Sequence, residues 1–160
     1  MKALPRRTRN VQDVVPFLWV RSMKRSLRYY VDGLGFQLAQ HWTVDGSLRW
    51  CRLELGGAAL MLQELARRRR PEGKIGEGMS LCFACKDALA LYAGFRARRL
   101  AATEPEVGNA MWYTTLTDPD GYRILFASAT NVPEDTKLSE VLMRPAAGPR
   151  KARPKRSARH

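Results

Sequence analysis

A strand–helix–strand–strand–strand pattern runs through residues 14–65 of this chain and runs again through 78–130. Val15 and Ser80 are equivalent starts, so the repeat length is about 65 residues. One such unit leaves an apolar sheet face uncovered. Two side by side predict an α+β fold: tandem βαβββ modules, a curved and mostly antiparallel sheet, helices outside and a concave cleft within.

The local signals agree with that reading. VVPFLWV, Val14 to Val20, is a short β-branched and aromatic run and predicts a strand. Ser22 can cap a helix through Lys24, Arg25, Leu27, Tyr30 and Val31, closed by Gly33 and Gly35. FQLAQHWTV and SLRWCRLEL flank Val44-Asp45-Gly46 and predict a hairpin. Gly56-Gly57 then returns the chain into AALMLQEL. The charged stretch ARRRRPEGKIGEG, with Pro71 and three glycines, predicts a hinge at 66–77. In the second unit MSLCFAC is a strand and Asp87 caps the helix DALALYAGFRARRL. TEPEV is a weak strand, AMWYTTLT a stronger one, and Asp-Pro-Asp-Gly turns the chain into YRILFAS.

Charge divides the chain differently. The net +13 sits mainly at the ends: four basic groups in residues 1–10, and eight against three acidic groups in 131–160. Residues 11–130 hold sixteen basic and twelve acidic groups, with Arg67 to Arg70 supplying four of the sixteen. We therefore read 1–13 as a basic arm, 14–130 as the domain, and 131–160 as a largely disordered basic tail with a short helix near Lys137 to Met143. Such a tail holds phosphates, and so nucleic acid, without sequence preference, or simply keeps the chain soluble. No apolar stretch approaches a membrane span, and the N-terminus lacks the apolar run of a secretory signal. Three cysteines, Cys51, Cys82 and Cys85, suggest reduced thiols in a cytoplasmic protein.

VRSMKRSLRYYVDGLGF resembles the first helix region of the vicinal oxygen chelate superfamily, and DPDGYRILF resembles that family's final hairpin. Ser22 stands where the family usually has Asp, an equally good cap. The family includes glyoxalase I, extradiol dioxygenases, fosfomycin-resistance transferases and bleomycin-resistance proteins. Its enzymes hold a divalent metal through His, Gln or Glu on the first and fourth strands of each repeat. Carried over by motif, those positions are Val15, Met61, Ser80 and Leu125. None supplies the imidazole or carboxylate that such a metal needs. A one-residue slip does not rescue the set. The resemblance thus implies a fold without its metal, and argues against glyoxalase, dioxygenase and metal-dependent transferase activity. It points to bleomycin-resistance-like sequestration, hence antibiotic resistance, by a homodimer with no cofactor.

The expected site is an apolar, aromatic lining. Alternation places Val15, Phe17 and Trp19 on one strand face, and Ser80, Cys82 and Ala84 on the matching face of the second repeat. Tyr113 and Thr115 share a face, with Trp112 and Thr114 opposite. We assign ligand contact to Phe17, Trp19, Trp42, Trp50, Met61, Ser80, Tyr113, Thr115 and Leu125. Each tryptophan can equally be core or interface. Bleomycin-type ligands are cationic, whereas Arg49, Arg52 and Arg123 make these strands mildly basic. A neutral or anionic aromatic ligand fits at least as well. His41, Glu54 and Glu64 are the recruits available to a metal-dependent alternative; His41 is otherwise a plain strand residue. Cys82 and Cys85 have CxxC spacing inside a strand and read as small buried apolar residues.

Overall fold

A computed structural model describes residues 12–143. The rest of the basic arm and tail, 1–11 and 144–160, lies outside the described residues, and with it the assigned nucleic-acid contact. The first module comprises β1 (Phe17–Val20), α1 (Met23–Leu27), β2 (Gln37–Val44), β3 (Ser47–Leu55) and β4 (Ala58–Glu64). The second comprises β5 (Ser80–Ala84), α2 (Ala88–Ala97), β6 (Glu106–Gly108), β7 (Met111–Thr117) and β8 (Arg123–Ala129). A last helix, α3 (Leu138–Met143), follows. Among the described residues no helix is long and apolar enough to cross a membrane.

The repeat is a repeat of topology. Strand order is β1-β4-β3-β2 in one sheet and β5-β8-β7-β6 in the other. In each, the first and last strands of the module pair in parallel and the other pairs are antiparallel. The registers correspond: Phe17 lies beside Met61, and Cys82 beside Leu125. The eight strands are thus divided into two sheets of four, each with its module's helix.

The caps are where the side chains predict them. Ser22 is extended and its hydroxyl accepts the Arg25 N–H at 3.4 Å; Asp87 accepts the Ala90 N–H at 2.9 Å. After α1 the chain continues as a π-helical stretch, Arg28–Leu34, ended by Gly35 at φ 90°. Asp45 and Gly46 both have positive φ, which a two-residue hairpin turn requires.

Two strands are displaced from expectation, each by a proline. β1 starts at Phe17, not Val14. Pro16 has no N–H to offer a ladder, although its carbonyl still accepts the Met61 N–H at 2.8 Å. β6 is Glu106–Gly108 and not TEPEV, because Pro105 interrupts the donors in the same way.

The start of the tail forms the expected short helix, but more of it is packed than its composition implies. Residues 131–143 fold back on the second module. Val132, Leu138 and Val141 pack against Ala88, Val107 and Trp112. The Glu134 carboxylate accepts the N–H groups of Asn109 and Ala110 at 2.9 and 2.7 Å, fixing a left-handed turn between β6 and β7. A few apolar side chains at useful spacing suffice to anchor a segment whose composition reads as polar.

One core spans both modules. It includes Leu18, Leu53, Leu62, Phe95, Ile124 and Phe126. A chain of rings crosses it: Tyr30 to Phe36, Phe36 to Phe83, Phe83 to Phe126 and Phe126 to Phe95, with centroids 5.0–5.7 Å apart. The hinge is packed into this junction. A Cβ on Gly76 would meet the Tyr122 ring and backbone nitrogen at 2.4 Å. Only glycine allows that approach.

Candidate functional site

Alternation along each strand sorts its side chains. Leu18 and Val20, Cys51 and Leu53, Leu60 and Leu62, and Ile124 and Phe126 turn toward the helices and are buried. The opposite faces carry all nine residues assigned to ligand contact. On the first sheet, Phe17 and Trp19 meet edge to face at 5.5 Å, and Met61 lies beside Phe17. Trp42 pairs directly with Trp50 across the β2–β3 ladder. Phe17, Trp19 and Trp42 stay 39%, 38% and 56% exposed, unusual for rings of this size. On the second sheet, Ser80, Leu125, Thr115 and Tyr113 occupy the corresponding face, with Leu125 opposite Thr115. Ser80 also lines a cavity of about 320 Å³ with Pro16, Ala59 and Cys82, where the two modules adjoin.

The assigned residues therefore form two groups, one per sheet. The ring contacts and side-chain hydrogen bonds that join the modules run elsewhere, through Phe36 and Phe83 and through the Asp-Pro-Asp-Gly turn. The fourth tryptophan, Trp112, is core, and Thr114 is buried beside it on the β7 ladder.

One residue that the sequence reading passed over is Gln63. It lies beside Trp19 on one side and Trp50 on the other, so its amide is the polar group set between two indoles. The signal was available, since Gln63 stands two residues after Met61 on the same strand face. Arg52 lies beside Met61 and pairs with Glu54 at 2.9 Å, adding charge to this face.

The family's metal positions fail on chemistry. Met61 and Leu125 occupy the same station of the two registers, and a thioether and an isobutyl group offer no hard donor. Val15 and Ser80 add an alkyl group and a neutral hydroxyl. The residues present do not fit a divalent metal at that station.

The alternative recruits do not converge. His41 pairs with Cys51, whose side chain faces the helices, so His41 turns away from the tryptophans. Glu54 is held by Arg52. Glu64 accepts the Met23 N–H at 2.8 Å at the start of α1 and faces Arg49 and Arg70 at 3.5 and 3.8 Å. Among the described residues no three His, Cys, Asp or Glu side chains gather as a metal site.

The cysteines also need a correction. All three are free, and Cys82 is exposed on the open face rather than buried. Cys85 lies just past β5, where its thiol donates to the Ala127 carbonyl at 3.3 Å. Burial raises the Cys51 and Cys85 thiols above their ordinary range, Cys51 to about 11, so neither is a ready nucleophile at neutral pH.

The Asp-Pro-Asp-Gly turn is a clasp between modules. Asp118 and Asp120 are buried. Asp118 accepts the Tyr30 hydroxyl at 3.0 Å and the N–H groups of Asp120 and Tyr122 at 2.9 Å each. Asp120 accepts the Arg21 N–H at 3.2 Å and faces the Arg21 and Arg25 guanidiniums at 3.9 and 3.4 Å. The Tyr122 hydroxyl donates to the Trp19 carbonyl at 3.1 Å, tying the clasp to the strand that presents Trp19.

Desolvation raises the Asp118 carboxyl above its ordinary 3.8, against the lowering effect of its hydrogen bonds. Between the ordinary and raised values the folded chain binds more protons than the unfolded chain. Asp118's contribution to stability is therefore full below pH 4 and falls as pH rises through the raised value. Asp118→Asn keeps an acceptor oxygen and removes the titration. The wild-type advantage over Asp118→Asn should shrink from pH 4 to pH 7, measured by urea midpoints. An advantage independent of pH would contradict this.

Among known proteins, the family model "Glyoxalase/Bleomycin resistance protein/Dioxygenase superfamily" matches residues 11–126. A search of curated proteins gave no match. Among solved structures the chain is similar to TnmS3, an antibiotic binding protein from Streptomyces sp. CB03234. The TM-score is 0.58 at 21% identity, covering 74% of this chain and 97% of that one. TioX from Micromonospora sp. ML1 gives 0.59 at 17% identity, covering 72% and 96%. A glyoxalase/bleomycin resistance protein from Streptomyces sp. CB03234 gives 0.54 at 21%, covering 71% and 98%. At these identities the structural likeness speaks to the fold alone, and it agrees with the family match over most of the chain. The chain belongs to the glyoxalase/bleomycin resistance protein/dioxygenase superfamily.

Proposed function

We propose that this chain binds and sequesters an aromatic or amphipathic small molecule without metal chemistry. The observation that carries this reading is the exposed aromatic face of the first sheet. Phe17, Trp19, Trp42 and Trp50 surround Met61 and Gln63 there, at a station where the family's metal-holding enzymes need hard donors. Indole and phenyl rings offer large stacking area to a planar ligand, and Gln63 offers one amide to orient it. TnmS3, an antibiotic binding protein, has the same fold, which supports a binding role. The aromatic face and the Ser80–Leu125–Thr115–Tyr113 face lie on different sheets of one chain. A homodimer that sets one against the other across subunits would complete the groove and cover the exposed rings. The cytoplasm, where a captured drug is kept from an intracellular target, suits such a role.

Tryptophan-fluorescence titration of the full chain with bleomycin-type drugs, neutral polycyclic aromatics and aromatic acids tests this reading. At least one class should quench saturably, and Trp42→Ala should weaken it about tenfold or more. Sedimentation should show a dimer. Silence from every class, with no thermal shift, would falsify sequestration.

A further inference from the structure

The opposite side of the molecule holds a second candidate site, built from arginines. A cavity of about 330 Å³ lies where the first module's helix meets the end of α2. Arg25, Arg28, Tyr29 and Asp32 line it from the first module, three or four residues apart and so on one side of the helix. Arg98 and Leu100 line it from the second.

Two of the three guanidiniums are held, each by a different contact. Arg25 donates to the Pro119 carbonyl at 3.1 Å and reaches Asp120 at 3.4 Å. Arg98 lies over the Phe95 ring, 5.7 Å from its centroid, a seat that holds a flat cation without using its N–H groups. Arg28 is exposed on the cavity rim. Arg28 and Arg98 make no ion pair and no side-chain hydrogen bond among the described residues. Arg25 is already paired with Asp120, so Arg28 and Arg98 are the cations set against the lining carboxylate of Asp32, and they leave the cavity mildly positive. The Tyr29 and Leu100 side chains supply an apolar wall.

We propose that this cavity binds a small organic anion, a carboxylate or phosphate carried on a flat apolar body. The planar guanidinium forks of Arg28 and Arg98 take the anion by paired N–H donation. The Tyr29 ring and Leu100 take the apolar body. The site is on the helix side of the first module, away from the tryptophan face, and does not depend on what that face binds.

The test is an NMR titration of the full chain with benzoate and with phenyl phosphate, following arginine Nε–H and Gly33 amide signals. Inorganic phosphate and benzyl alcohol serve as probes lacking one half of the ligand. Benzoate or phenyl phosphate should shift these signals saturably, and more tightly than either half-ligand. Arg98→Gln and, separately, Arg28→Gln should each weaken binding about tenfold, the loss expected for one charge-assisted hydrogen-bonding partner. Trp42→Ala should leave it unchanged. The proposal is overturned if neither organic anion shifts the signals, if benzyl alcohol binds as tightly as benzoate, or if both glutamine variants bind like the wild type.

Discussion

Phe126→Ala should destabilise the chain by about 3–5 kcal/mol, the range for removing a buried phenyl ring. Phe126 is 1% exposed and stacks on Phe83 at 5.3 Å with planes 22° apart, while Phe95 meets it at 5.0 Å. Alanine there leaves a cavity within the second module, one ring away from the Phe36–Phe83 contact at which the modules meet. The rigid sheet on one side and α2 on the other limit collapse into it. A thermal midpoint lower by on the order of 10 °C is expected for a chain of this length. Phe17→Ala is the control. That ring is 39% exposed on the open face, so its loss should cost far less stability while removing ligand contact. Equal midpoints for the two variants would show that the buried Phe83–Phe126–Phe95 cluster contributes no more stability than the exposed ring.

Arg21→Ala/Arg25→Ala should cost about 3 kcal/mol, and more than Asp120→Asn. The Asp120 carboxylate has no exposed side-chain surface, whereas its partners are 30% and 54% exposed. Removing the cations leaves a buried negative charge facing only the Arg21 N–H. Removing the charge leaves two arginines that water can solvate. That asymmetry decides the order, because an isolated exposed ion pair is worth about 1 kcal/mol or less. The clasp also connects to the strand presenting Trp19 through Tyr122, so the double variant should loosen ligand binding as well. Chemical denaturation of the two variants side by side measures the difference. If Asp120→Asn proves the more costly, a buried carboxylate left without its cations is not the larger penalty, and the order expected from burial does not hold.

Much of this architecture was legible before any coordinates. The helix starts at Ser22 and Asp87 follow from short side chains that accept backbone N–H groups within three residues. The hairpin at Asp45-Gly46 follows from two residues that tolerate positive φ. These are local rules, so a sequence states them directly. The same holds for the faces: period-two alternation put Phe17 with Trp19 and Tyr113 with Thr115, and the structure has all nine candidate residues opposite the helices. It also placed Gln63 among the tryptophans, where attention to the aromatic residues alone passed over it. The errors have local causes too. Pro16 and Pro105 shorten strands whose apolar pattern continues, because a ladder needs donors as well as side chains.

The turn Asp118 to Gly121 separates the two kinds of knowledge. By itself the sequence determined a tight turn between two strands and the tandem repeat it closes; the family resemblance added that a leucine stands at position 125, where the family's enzymes hold a metal through a carboxylate. It determined these because turn geometry, strand period and donor chemistry are properties of residues and their near neighbours. Only the tertiary structure decided that both aspartates are buried, that Tyr30, Arg21 and Arg25 of the other module hold them, and that Arg98 meets Arg25 and Arg28 around one cavity. Those contacts join residues some 70 to 100 positions apart. Their energies depend on burial and on which surfaces the packed modules bring together, and no local pattern encodes either.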